Sequence, residues 1–327
     1  MKGSNTHPRS TPKEHINTGT SSNRSGGGPA SGIRYLDLFS GCGGFRLALE
    51  QAGVQIDNSV HCEINKFADR VYRYHYPESR NLGDIQNVRA AEVIAQLTGS
   101  PDLITFGWPC TNNCKAGKCE GQRRDLPSGL IHEAMRLISE LQPQFWIAEN
   151  VENLLSVKEG FDIIETFQLF SSIPAGSVEY NVEMQVFDSV HYTGQSRRRT
   201  YFVGYIREGC PGQIFPILPE NKYHIQEGDS TQGQPSYTIV ARRGLSGVCE
   251  KDNLVFEGAR GFRGLTAKEC EILQGMPPDY TLWGVHEKKE KKVKMSDSQR
   301  FQMLGNTITI PIVVKIVKKL IEVFSEL

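Results

Sequence analysis

No apolar stretch in this 327-residue chain approaches the length of a membrane span, and the N-terminal region has no apolar signal core. Neither a membrane-embedded protein nor a signal-bearing secreted one is expected. An excess of one charge is also missing, since Lys+Arg and Asp+Glu both total 37. A neutral balance neither marks nor excludes a polyanionic partner, because phosphate contacts need a local basic surface rather than a basic whole. Local basic spots are present at Arg197-Arg198-Arg199, Arg242-Arg243, Arg260 with Arg263, and Lys288 to Lys294. No repeat of solenoid period is visible. Large apolar residues are almost absent from positions 1–32, where Ile16 is the one large aliphatic after Met1. That stretch cannot bury enough surface to offset its ordering entropy and is expected to be a disordered tail.

What is present is globular. Hydrophobic residues make up 38% of the chain and charged residues 23%, enough for a core. The eight cysteines, without a secretory context, are expected to be reduced thiols in a cytosolic or nuclear setting. Order begins at Ile33. Residues 33–39 form a short apolar run read as a buried strand, and Ser40-Gly41-Cys42-Gly43-Gly44 is a glycine-rich turn. Phe45, Ala48, Leu49 and Ala52 then recur at helix spacing until Gly53, which can end a helix in the left-handed conformation. A strand over 54–64 ends near Glu63, and a helix from Asn65 stops before Pro77. Strands follow over 102–108, 145–150, 181–186 and 201–206, with a helix capped by Ser128 between the first two. This alternation predicts a doubly wound, mainly parallel α/β sheet of Rossmann-like type.

After Ile206 the pattern breaks into Gly- and Pro-rich stretches. It resumes in a final helix stripe of Val313, Ile316, Val317, Leu320 and Phe324. The expected organisation is a tail over 1–32, a catalytic domain over 33–208, a small irregular domain over 209–296, and a segment over 297–327 that completes the large one.

Four motifs carry chemistry. The strand, glycine turn and helix start at 37–45 form a ligand crevice at the carboxyl end of a parallel strand. Glu63, 20 residues after Gly43, can accept hydrogen bonds from ribose hydroxyls. Position 46 is Arg, so the spacing is not that of a dinucleotide site, and a nucleoside without a pyrophosphate fits better. Cys110, in Gly107-Trp108-Pro109-Cys110, follows a strand and is well placed as a nucleophile, although a buried apolar role is the commoner fate of a cysteine. Glu149 ends another strand in Ala148-Glu149-Asn150-Val151. Gln195 to Arg199 is a dense donor cluster suited to anions.

In this order, Asp-Leu-Phe-Ser-Gly-Cys-Gly-Gly-Phe, Pro-Cys, Glu-Asn-Val and Gln-x-Arg-x-Arg resemble the DNA (cytosine-5) methyltransferase family. The likeness continues through Arg263-Gly264-Leu265-Thr266-x-x-Glu269, Leu273 to Pro277 and Gly305-Asn306-Thr307, and so spans about residues 33 to 327. The resemblance implies S-adenosylmethionine as cofactor and duplex DNA as substrate. It implies that Phe39, Gly41, Gly43, Gly44, Glu63, Ile64, Asp84 and Asn306 form the cofactor pocket. Cys110 would be the nucleophile and Glu149 its partner at the base, with Arg197 and Arg199 holding base and backbone. Gln195, Arg198, Thr238, Arg242 and Arg243 would contact DNA, the last three within the recognition region. The family usually has Gln after Pro-Cys, whereas this chain has Thr111-Asn112-Asn113-Cys114. The loop's own DNA contacts are therefore not carried over.

The chemistry needs these residue types. Cytosine C5 is a poor nucleophile until a thiolate adds at C6, and a protonated carboxyl can offset the charge that develops at N3. The base must first leave the duplex stack. A tRNA cytosine-5 methyltransferase is the alternative enzyme reading, but its Cys-Phe-Thr tripeptide is absent. A silent DNA-binding relative would lose catalytic residues that are all present here. Cys110, Cys114 and Cys119 do not have the paired spacing of a zinc site, so no metal is expected. A monomer is expected. A companion endonuclease and the recognition sequence are not legible. The compartment follows from the host: the cytoplasm, with the nucleoid, in a prokaryote, and the nucleus in a eukaryote.

Overall fold

A computed structural model describes residues 32–109, 127–155, 161–171, 178–207, 212–219, 254–256 and 262–324. The expected strands and helices lead the chain, β1 (Ile33–Leu38), α1 (Gly44–Ala52), β2 (Ile56–Cys62) and α2 (Lys66–His75), followed by the short strand β3 (Arg80–Asn81), which was not expected. Then come α3 (Ala90–Leu97), β4 (Leu103–Gly107), α4 (Ile131–Leu141), β5 (Phe145–Val151) and α5 (Phe161–Ser171). The central part ends with β6 (Tyr180–Asp188), α6 (Val190–Thr193) and β7 (Arg198–Ile206). The last third holds β8 (Leu254–Phe256), β9 (Phe262–Gly264), α7 (Ala267–Leu273), β10 (Trp283–Val285), β11 (Lys292–Lys294), α8 (Asp297–Asn306) and α9 (Ile310–Phe324).

Seven strands form one sheet in the order β3-β2-β1-β4-β5-β7-β6. The first five are mutually parallel; β7 runs antiparallel between β5 and β6. From β1 the chain steps outward to β2 and β3, then returns to β4 on the other side. This reversal opens a crevice at the carboxyl ends of β1 and β4, where doubly wound sheets bind ligands.

The period-two alternation of the central strands divides the core between the two faces. Tyr35, Leu103, Phe145, Ile147, Tyr201 and Val203 pack with α1 and α9. Their neighbours Leu36, Ile104, Phe106, Trp146, Ala148 and Phe202 pack with α3, α4 and α5. Trp146 lies opposite Gly204 in the β5–β7 register. A Cβ at Gly204 would sit 1.9 Å from the indole, so the buried ring requires glycine there.

Two local expectations are corrected, and the edge strand β6 adds a finding of its own. Ser128 does not cap α4: a 3-10 turn over Pro127–Leu130 intervenes, and the capping position is Leu130, whose side chain offers no acceptor. The strand expected from 54 starts at Ile56, because Val54 is taken up by the turn whose amide bonds to Leu49. The polar positions of β6 do not face solvent freely. Glu183 accepts the amides of Ile214 and Phe215, and Gln185 pairs with both backbone groups of Ile217, so residues 212–219 run along this edge.

Residues 263–296 are built into the main body. Ala267, Cys270, Met276, Tyr280 and Met295 share a core with α1 and α9. Buried Glu271 accepts from Arg300 at 2.9 Å and from the Asp279 amide at 2.6 Å, which ties α7 to α8. Among the described residues no helix is long and apolar enough to cross a membrane.

Candidate active site

The glycine turn after β1 is shaped by two different constraints. Gly41 has φ +57 with open space where a Cβ would stand, so here the backbone conformation requires glycine. At Gly44 the demand is steric: a Cβ would lie 2.6 Å from Thr307 Oγ1. Gly43 caps α1 without a side-chain bond, and Phe39 also has positive φ, 52. The turn is therefore held against the Gly305-Asn306-Thr307 motif, and Asn306, exposed at the end of α8, stands beside it.

Glu63 follows β2 directly. Its carboxylate accepts the Gly41 amide at 2.8 Å and the Asn65 amide at 2.6 Å, linking the glycine turn to the start of α2. Burial raises its pKa, and the backbone amides oppose that shift. A carboxylate oxygen accepts more than one hydrogen bond, so two amides do not exhaust it. Ile64 is 76% exposed and follows Glu63 directly. Asp84 follows the left-handed Gly83 and caps a short 3-10 turn by accepting the Gln86 amide at 3.0 Å. Glu63 and Ile64 thus follow the carboxyl end of β2, Asp84 that of β3, and Gly41 that of β1.

On the other side of β1, Gly107 at the end of β4 is in register with Glu149 at the end of β5. A Cβ at Gly107 would lie 3.4 Å from Glu149 Oε2. Asn150, 1% exposed, donates through Nδ2 to the Trp108 carbonyl at 3.2 Å and accepts the Val151 amide at 2.8 Å. The Asn of Glu-Asn-Val thus fastens the turn that leads to Pro109. Sequence reasoning gave Asn150 no role, although its place inside the motif was the available signal.

Glu149 is largely buried, its side chain 13% exposed, beside two cations. Arg199 Nε lies 3.1 Å from its Oε1, and among the described residues no aligned hydrogen-bond donor reaches that oxygen. Burial raises the Glu149 pKa, while Arg199 and then Arg197 pull it down. A desolvated carboxyl with cations but no aligned donor is poised to take a proton when a ligand supplies a partner.

The other cluster residues divide. Arg197, expected at the base, is 2% exposed and donates to the carbonyls of Gly305 and Thr307 at 3.1 and 2.7 Å. It braces the motif containing Asn306. Gln195, expected at DNA, is fully buried and donates to the Leu273 carbonyl at 3.4 Å, so no surface remains for a groove contact. Arg198 is exposed and paired with Glu152 at 2.8 Å. Cys110, Cys114, Cys119, Thr238, Arg242 and Arg243 lie outside the described residues. A separate open groove of about 620 Å³ along β6, lined by Asn181, Glu183, Tyr205 and Arg207, shares no residue with the crevice.

A doubly wound sheet with a glycine turn after β1 and a largely buried carboxyl two strands away is the arrangement of a Rossmann-like methyltransferase. The model of the family described as C-5 cytosine-specific DNA methylase matches residues 33–241, and the chain belongs to that family. It is a DNA (cytosine-5) methyltransferase, and S-adenosylmethionine is the methyl donor of the family. Type II methyltransferase M.MspI of Moraxella sp is 25% identical over 323 residues, covering 89% of this chain and 71% of its own. M.HgiCII of Herpetosiphon aurantiacus is 32% identical over 201 residues, 60% of this chain and 42% of that one. Among solved structures, the Entamoeba histolytica methyltransferase EhMeth superposes with TM-score 0.64 at 14% identity, covering 89% of this chain and 98% of that one. S. pombe Dnmt2 gives TM-score 0.59 at 17% identity, covering 89% and 98%. At these identities the two structures support the fold.

Proposed function

We propose that this chain methylates cytosine through a covalent adduct of Cys110, with Glu149 as the proton-holding partner and the crevice at β1 as the S-adenosylmethionine site. The observation that carries the reading is the convergence at β4 and β5. The turn leading to Cys110 is tied by Asn150 to the strand that carries a largely buried carboxyl with a raised pKa.

The crevice fits the cofactor. Gly41 leaves open space, Glu63 and Asp84 offer acceptors for ribose hydroxyls and the adenine amine, and Ile64 offers an exposed apolar face. Asn306 would close the methionine end. When bound, the cofactor supplies an electrophilic methyl group. The remaining steps belong to the chain. The Cys110 thiolate adds to C6 of the flipped base, breaking the 5,6 double bond. Glu149 holds a proton at N3 and so offsets the charge displaced onto the ring. Arg199 lies against Glu149 and keeps the pocket cationic, which favours the thiolate. Once C5 carries the methyl group, its proton passes to water, the 5,6 double bond re-forms and the thiolate leaves.

Residues 209–262 are proposed as the recognition segment, with Thr238, Arg242 and Arg243 as its DNA contacts. The packing of 263–296 into the core supports this shorter boundary. The functional unit is proposed as a monomer acting on duplex DNA. Cys110→Ser tests the mechanism: methyl transfer should vanish while cofactor binding survives, and DNA containing 5-fluorocytosine should trap wild type but not the variant. Turnover close to wild type in Cys110→Ser would overturn it.

A further inference from the structure

The lysine-rich stretch near the end of the chain has no part in the chemistry above. β10 and β11 pair antiparallel, with Trp283 opposite Lys294 and Val285 opposite Lys292. Lys288, Lys289, Lys291, Lys292 and Lys294 are all exposed on this hairpin. A lone two-stranded hairpin is marginally stable in water, but this one is fastened to α2. A Cβ at Gly284 would lie 2.8 Å from Arg70 Cβ and 3.1 Å from the Arg70 carbonyl oxygen, so the strand lies directly on the helix. Arg70 donates to both oxygens of Glu287 at 3.1 and 3.0 Å. Lys292 Nζ donates to the Tyr74 hydroxyl at 2.9 Å and sits 4.3 Å above the Trp283 ring.

Arg70 and Lys292 are thus used to anchor the hairpin. The ammonium groups of Lys288, Lys289, Lys291 and Lys294 have no ion-pair partner among the described residues. The whole chain is neutral, with 37 charges of each sign, yet residues 283–294 carry five lysines against two glutamates. One of those glutamates is taken by Arg70. α2 extends the cationic face with exposed Lys66, which lies two residues after Ile64 at the rim of the crevice.

We propose that this hairpin is a second nucleic-acid contact, whose unpaired ammonium groups engage phosphates of duplex DNA flanking the cytosine being methylated. The proposal rests on the DNA-methylating activity. A protein partner fits the surface less well. Protein interfaces are depleted in lysine and centre on aromatic or apolar anchors. Here Trp283 is capped by Lys292, and Val285 and Val293 are half-buried. Phosphate binding needs only unpaired cations held on a fixed scaffold.

The test replaces Lys288, Lys289 and Lys291 together by Gln, sparing Lys292. Binding to mixed-sequence duplexes of about 15 and about 60 base pairs is followed from about 50 to 200 mM salt. Methyl transfer is measured on saturating plasmid, and thermal unfolding serves as a control for folding. On the long duplex the slope of log affinity against log salt should flatten by about 2 to 3, with about tenfold weaker binding at intermediate salt. Short-duplex affinity and plasmid kcat should be unchanged. An unchanged slope would overturn the proposal, as would equal loss on both duplexes. Loss of binding to poly-glutamate with DNA binding intact would assign the surface to an acidic protein and also overturn it. Wild-type enzyme that neither binds nor methylates DNA would instead bring down the underlying activity, and the two failures are therefore distinct.

Discussion

Asn150→Ala is the perturbation whose size follows most directly from the structure. The side chain is 1% exposed and makes two bonds, donating to the Trp108 carbonyl at 3.2 Å and accepting the Val151 amide at 2.8 Å. Truncation leaves the buried Trp108 carbonyl and the partly buried Val151 amide without these partners. Each unsatisfied group costs about 1–3 kcal/mol, and the long Trp108 bond belongs at the low end. A loss of about 2–4 kcal/mol is expected, which lowers the unfolding midpoint by roughly 4–8 °C for a domain of this size. The catalytic effect should exceed the stability effect. Trp108 lies two residues before Cys110, and a misplacement of about 1 Å at a reacting centre costs about 10²-fold in rate. Single-turnover methyl transfer with excess enzyme isolates that step, and calorimetry with S-adenosylmethionine should show unchanged affinity. Asn150→Asp sharpens the test. Ionised, it keeps the Val151 contact but sets a negative oxygen against the Trp108 carbonyl; protonated, it regains a donor. Its rate relative to wild type should therefore recover as pH falls, whereas that of the Ala variant should not. If Asn150→Ala lost stability but kept single-turnover rates within about threefold of wild type, the bond would not position the nucleophile turn.

Glu149→Gln should cut turnover by about 10²–10⁴ with little change in cofactor affinity, because the amide cannot deliver a proton to N3. Glu63→Ala and Asp84→Ala should each weaken S-adenosylmethionine by about 1–3 kcal/mol and leave chemistry at saturating cofactor largely intact; calorimetry showing wild-type affinity in both would contradict the pocket. Asp37 gives a pH signature. Burial raises its carboxyl from 3.8 to about 7, with Thr105 and Tyr35 hydrogen bonds opposing. The folded state therefore binds this proton more tightly than the unfolded chain does. Its stabilising contribution is full below about pH 4 and is lost as pH rises through about 7, a swing of up to about 4 kcal/mol. Asp37→Asn should flatten that part of the stability curve, and an unchanged midpoint-against-pH profile would refute the assignment.

The fold was legible where one periodicity ran unbroken. The apolar runs of β1, β4 and β5 and the 3.6-residue stripes of α1, α4 and α9 each report a buried surface, and burial is what the sequence encodes most directly. Among the described residues, five helices carried no expectation: α3, α5, α6, α7 and α8. Two of them did advertise their starts. Thr266 with Glu269, and Ser296 with Gln299, are capping boxes in which side chain and backbone satisfy each other reciprocally. The antiparallel placement of β7 between β5 and β6 was not legible, because a strand's own pattern does not state its direction.

The site divides in the same way. The crevice proposed for the cofactor was legible in its glycine turn and in the carboxylate after β2, because such demands fall on single residues: a left-handed glycine at 41 and an acceptor at 63. The arginine cluster was not, because a run of donors in sequence says nothing of which face each occupies. Alternation along β7 sends Arg199 to Glu149 and Arg198 outward to Glu152. Arg197, one residue earlier, enters the core and grips the carbonyls on either side of Asn306. One short motif therefore serves both halves of the site. A single strand end supplies the cation beside the proposed acid and the clamp on the proposed cofactor motif. Substitutions at 197 and 199 should accordingly separate: loss of Arg197 acts on cofactor affinity and stability, and loss of Arg199 acts on turnover. A cluster that looked uniformly anion-binding in sequence is, in three dimensions, three cations with three different partners.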